Sequence, residues 1–69
     1  MHFSEYDIVL LKLLSDGMLQ KNIPDYLSRN NISPNCLSSV EKRLGAMRNA
    51  LGFTKNEQLI ALCKDLGVI

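Results

Sequence analysis

Ser38–Leu51 reads SSVEKRLGAMRNAL, and the interpretation of this stretch decides the fold. As a helix it places Leu37, Val40, Leu44, Met47 and Leu51 on one face at spacings of three and four, the stripe that a helix buries against a core. Opposite Val40 lie Ser38, Lys42, Gly45 and Asn49, with Ser39 and Ala46 beside them. Most of that outward surface is small, so the helix can approach another surface closely. Arg43 and Arg48 fall on the two flanks, between the buried stripe and the outward ridge. A B-DNA major groove, about 12 Å wide, admits one helix and carries phosphates along both rims. A ridge of small residues between two arginines suits it.

The remaining sequence predicts three more helices. Ser4 and Asp7 have the spacing of a capping box and open a helix to about Ser15, with Tyr6, Val9, Leu10, Leu13 and Leu14 on its apolar face and Asp16-Gly17 as its stop. A short second helix is expected over Gln20–Arg29, beginning near Lys21 because Pro24 is tolerated only in a first turn, with Ile23, Tyr26 and Leu27 inward. Arg29-Asn30-Asn31 is a turn signal. The third helix has two possible starts, Pro34 behind Ser33 or a capping box of Ser38 with Glu41, and Pro34 is favoured. Gly52 closes it. Thr54 and Glu57 predict a further capping box for a helix from Lys55 to about Leu66, ended by Gly67, with Leu59, Cys63 and Leu66 central and Ile60 and Leu62 on opposite sides. No run alternates over strand length, so the fold class is all-α with four helices.

Composition limits the function. A chain of 69 residues is one domain, 1–69, and 46% hydrophobic residues suffice for a folded core. The longest apolar run, Ile8 to Leu11, is too short to span a bilayer and no secretory signal is recognisable, so a cytoplasmic protein without membrane contact is expected. Two cysteines and one histidine give neither a zinc spacing nor a disulfide framework, so no metal or cofactor is expected; Cys36 and Cys63 read as small apolar residues. An enzyme is not expected: His2 is the only histidine, no carboxylate pair has a nucleophile to serve, and no glycine-rich loop is present to cradle a phosphate. The net charge is only +1, but Lys42, Arg43 and Arg48 stand against Glu41 alone in the central stretch. Because phosphate neutralisation dominates affinity for DNA, one copy should bind weakly and two should be needed.

These residues resemble a known family. Phe3-Ser4-Glu5, Asp7, Leu10, Leu11, Leu13, Leu14 and Gly17, then Lys21, Ile23 and Leu27, are similar to the opening of the LuxR/GerE-type helix-turn-helix domain of bacterial transcription regulators. Ser39-Val40 is similar to the Thr-Val that starts its recognition helix, and Leu51-Gly52-Phe53 to its closing Leu-Gly-Val. Asn56-Glu57, Ile60 and Gly67-Val68-Ile69 are similar to its last helix and ending. The resemblance implies a sequence-specific binder of double-stranded DNA, the effector domain of a response regulator or sensor whose receiver or sensing domain is a separate part of the regulator. It also implies that the third helix lies in the major groove, with Glu41, Lys42 and Gly45 at base-contact positions and Ser39, Arg43 and Lys21 at phosphate positions. The outward residues Ser38 and Asn49 and the flanking Arg48 complete the candidate DNA-binding set. The family's last helix forms a dimer contact, which implies a homodimer on a two-part site through Leu62, Ala61 and Asp65. Glu41 stands where the family usually has lysine, and the turn from Ser28 to Asn35 is several residues longer than usual. The alternative is a protein-interaction module of degenerate helix-turn-helix fold, whose ridge at Ser38, Gly45 and Ala46 receives a partner helix.

Overall fold

Ser4 and Asp7 start the first helix by capping each other: the Asp7 N–H donates to Ser4 Oγ at 3.2 Å and the Ser4 N–H to Asp7 Oδ2 at 3.0 Å. In the computed structural model, which describes residues 2–69, this opens α1, Glu5–Ser15. A single 3-10 turn, Gln20–Asn22, leads into α2, Ile23–Arg29. α3 spans Leu37–Leu51 and α4 spans Asn56–Asp65. The described residues are thus all-helical, with no strand. The radius of gyration is 11.2 Å, against about 11 Å for a compact chain of this length.

The core lies where the four helices meet. Leu10 and Leu11 of α1, Ile23 and Leu27 of α2, Val40, Leu44 and Met47 of α3, and Leu59 and Cys63 of α4 are fully buried. The stripe expected of α3 is correct at its centre and frays at its start, where Leu37 is 39% exposed. On α1, burial is centred on Leu10, Leu11 and Asp7, while Tyr6, Val9, Leu13 and Leu14 are half-buried around them.

All four helices end the same way. Just beyond each helix one residue donates its N–H back five positions: Met18 to Leu13, Ile32 to Leu27, Phe53 to Arg48 and Val68 to Cys63, at 2.8–3.1 Å. This is the Schellman closure, and in each case the donating residue is apolar and packs on the core. The residue before it must take a positive φ. At α3 that residue is Gly52, with φ 72°, where a glycine has no Cβ to clash. At α2 it is Asn31, with φ 55°, the side chain that best tolerates this region.

Several expected boundaries are corrected. The second helix does not begin as an α-helix near Lys21; the 3-10 turn carries the chain to Ile23, which leaves Pro24 in the first α-helical turn where its missing N–H costs nothing. The third helix begins at Leu37 and not at Pro34. The Ser33–Pro34 peptide is cis, the Pro34 carbonyl accepts the Tyr6 hydroxyl at 2.7 Å, and the first helical bond runs from Val40 N–H to the Cys36 carbonyl at 3.1 Å. Ser38 accordingly lies inside the first turn and caps nothing. At α4 the capping side chain is Gln58 and not Glu57, its Oε1 accepting the Thr54 and Lys55 N–H groups at 2.8 and 2.9 Å. Leu66 is 60% exposed and not central, because the chain leaves the helix at that residue and brings Val68 and Ile69 onto the core instead.

Candidate nucleic-acid interface

The outward face of α3 is as open as its sequence requires. Ser38, Glu41, Lys42, Ala46 and Asn49 are exposed, and Ser39, Arg43, Gly45 and Arg48 half-buried. Lys42 and Glu41 make no ion pair among the described residues, where the ion pairs are Arg29 with Asp25 and Arg43 with Asp7. Lys42 therefore offers a free ammonium near the middle of the ridge. A Cβ added to Gly45 would meet only Arg48 Nη2, at 3.6 Å, an ordinary contact. Packing within the fold gives no reason for a glycine there, although one in mid-helix costs about 1 kcal/mol relative to alanine.

The two flanking arginines are held by the protein itself. Arg43 Nε and Nη2 donate to the two carboxylate oxygens of Asp7 at 2.5 and 2.7 Å, a bidentate pair joining α3 to α1. Asp7 is fully buried, whereas the Arg43 side chain is 41% exposed. Burial alone would raise the Asp7 carboxyl above its usual range, but the bonds and charge of Arg43, with the Ser4 backbone and hydroxyl, outweigh it and hold the group below that range. The Cys63 thiol of α4 is pushed up by burial and by the charge of this same carboxylate. Arg48 Nη1 donates to Asn56 Oδ1, and Asn56 Nδ2 donates to Gln20 Oε1 at 3.0 Å. This chain ties the end of α3 to the start of α4 and to the 3-10 turn, which carries the exposed Lys21 on the flank opposite Arg43. The positive surplus inferred for α3 is therefore smaller than the sequence suggests, since Arg43 is neutralised by a buried partner.

Beside the Arg43 flank runs an open groove of about 480 Å³, lined by Ser39, Lys42, Arg43 and Ala46 on one side and by Tyr6, Ser33 and Pro34 on the other. The bond from Tyr6 to the Pro34 carbonyl fixes the far wall. Periodicity carries no signal for this groove, because its second wall comes from a loop and from a half-buried tyrosine that pattern alone assigns to the core.

Cys36 is exposed and polar in its surroundings, which corrects its reading as a small apolar residue. Its Sγ lies 3.3 Å from Ser38 Oγ and 3.0 Å from Ser39 Oγ at the start of α3. The hydroxyl of Ser38, then that of Ser39 with its backbone, lower the thiol pKa to about 7. Cys63 is buried as expected.

On α4, Ala61 and Asp65 are exposed and Leu62 is half-buried, with the exposed Leu66 four residues further along the same face. No group of three or more His, Cys, Asp or Glu that could hold a metal occurs among the described residues, and no helix there is long and apolar enough to cross a membrane. No family model matches the chain, and no curated protein or solved structure matches it.

Proposed function

We propose that this chain is a helix-turn-helix DNA-binding domain of LuxR/GerE type, acting in transcription regulation in the bacterial cytoplasm as the effector part of a two-component response regulator. In this reading α2 and α3 form the motif and α3 inserts into the major groove. One observation carries it. α3 turns a ridge of short side chains with an unpaired lysine to solvent, while the arginines on its two flanks are set in place by Asp7 and Asn56. Close approach needs the short side chains, and a defined docking angle needs flanks that do not move. Lys42 and Asn49 would face bases; Ser38, Ser39, Glu41 and Gly45 would line the contact; Lys21 would approach the phosphates of the second rim.

A salt titration with a pool of random duplex DNA tests this reading. Binding that weakens steeply as salt rises, with one sequence enriched among the bound duplexes, is the expected result. A second reading, the protein-interaction module, is favoured by the apolar part of the groove at Tyr6, Pro34 and Ala46. It predicts a partner whose affinity is nearly indifferent to salt.

Two copies on a two-part site would pair through α4. Leu62 and Leu66 give that helix an apolar patch not used by the core, with Ala61 and Asp65 beside it. Leu62→Asp should leave helix content unchanged, shift self-association to higher concentration and remove cooperativity from DNA binding. Sedimentation of wild type and variant checks this, and identical association of the two would exclude the α4 surface.

A further inference from the structure

The second wall of the groove beside α3 has no role in simple insertion of a helix. Ser39, Arg43 and Ala46 recur at spacings of three and four, so they form one flank of α3, turned away from the ridge of Ser38, Lys42 and Asn49. If the ridge faces bases, one DNA strand must run along that flank. There it would meet the Ser33–Pro34 loop on its other side.

We propose that this groove is a clamp for the sugar–phosphate backbone of one strand of duplex DNA, with Ser39, Arg43 and Ala46 on one wall, Lys42 at the rim where that wall meets the ridge, and the Ser33–Pro34 loop on the other wall. This rests on the groove-insertion reading above and adds to it a register-setting contact outside the helix. The dimensions agree: from Ser39 to Ala46 the wall is about 10 Å long at 1.5 Å per residue, and because a strand winds around the duplex its phosphates are spaced at roughly twice the axial rise of about 3.4 Å, so the wall spans one to two nucleotides. The chemistry agrees as well. The lining offers the hydroxyls of Tyr6, Ser33 and Ser39, the first already donated to the Pro34 carbonyl, and the Lys42 ammonium; the Arg43 guanidinium is paired with Asp7 behind it, and no carboxylate lines the groove. Tyr6, Pro34 and Ala46 supply the apolar surface that a deoxyribose would meet. Both walls are held before any ligand arrives, the loop by the Tyr6 hydroxyl at 2.7 Å from the Pro34 carbonyl and Arg43 by Asp7. Little ordering is therefore left for the moment of binding.

The test places charges on the loop and measures binding of one enriched duplex against salt. Ser33 is exposed, so its variants should fold as wild type does, which circular dichroism checks. Ser33→Glu should weaken binding about tenfold. Ser33→Lys should tighten it and steepen the slope of log K against log salt by about 0.9, the value for one added phosphate contact. Lys12→Gln, the same change in net charge in a separate depression on α1, should weaken binding less than threefold. Tyr6→Phe removes only the hydroxyl that anchors the loop and should weaken binding about threefold without loss of helix, a contribution near that of one net hydrogen bond. If wild type binds the duplex and both Ser33 variants differ from it no more than Lys12→Gln does, the clamp is wrong and groove insertion stands. If wild type shows no salt-sensitive binding to DNA, the reading beneath the clamp fails with it.

Discussion

Arg43→Ala is expected to destabilise the protein by about 3 kcal/mol at pH 7, the lower end of the range for breaking a buried ion pair from one side, because the guanidinium is partly in solvent. A chain of this length has roughly 3–10 kcal/mol in total, so the loss is about a third of its stability or more and the urea midpoint should fall in proportion. The two partners are not equivalent. Removing Arg43 leaves a fully buried carboxylate, whereas Asp7→Ala leaves an arginine that can turn to water and costs chiefly the α1 cap, about 1 kcal/mol. Acid should narrow the loss. In wild type the Asp7 pKa is lowered, so its stabilising contribution is complete above about pH 4 and is lost as pH falls through the native value. In Arg43→Ala the largest influence holding the Asp7 carboxyl down is gone, so that variant loses less stability than wild type as the group protonates. The difference between the two proteins in urea melts should therefore shrink from pH 7 to pH 3. Equal stability at pH 7 would show that the pair contributes nothing. A loss of DNA binding in Arg43→Ala is consequently no evidence of phosphate contact, and Lys42 is the residue to test.

Gly45→Leu is expected to stabilise the fold and abolish the proposed DNA binding. Leucine is a better helix former than glycine, and the one atom near an added Cβ is Arg48 Nη2 at 3.6 Å, an ordinary contact, so the free protein should gain about 0.5–1 kcal/mol. On the ridge the same side chain would hold α3 away from the groove. Losing two base contacts at about 1–3 kcal/mol each corresponds to a loss in DNA affinity of about 30-fold or more. Thermal melts and DNA titrations on the same samples give both halves of this prediction. A variant more stable than wild type that binds DNA equally well would remove α3 from the interface.

The residues themselves explain how much was legible in the sequence. Val40, Leu44 and Met47 are buried as their spacing required, and the Ser4–Asp7 capping box and the Gly17, Gly52 and Gly67 stops are where the sequence places them. These signals are local, set within one or two turns of helix. What periodicity could not supply is contact across the fold. Asp7 carries two roles, and only the cap is local; its bond to Arg43 joins residues 36 positions apart. The same separation divides Gln20 from Asn56, which fixes the turn carrying Lys21. The Ser33–Pro34 loop looked like a helix start because serine and proline are what such a start uses, and a hydroxyl from α1 holds it elsewhere. Of the candidate site, the open ridge was readable from the sequence, whereas the commitment of both arginines and the groove beside them was not.

The most direct test of the account measures the salt slope of duplex binding for wild type and Lys42→Ala on one enriched site, since Lys42 is the exposed, unpaired cation of the ridge. Groove insertion predicts a steep negative slope of log K against log salt for wild type, shallower by about 0.9 in the variant if Lys42 meets a phosphate, or little changed in slope with an affinity loss of about 1–3 kcal/mol if it reads a base. Wild type and variant indistinguishable in both slope and affinity would contradict insertion of α3 into DNA.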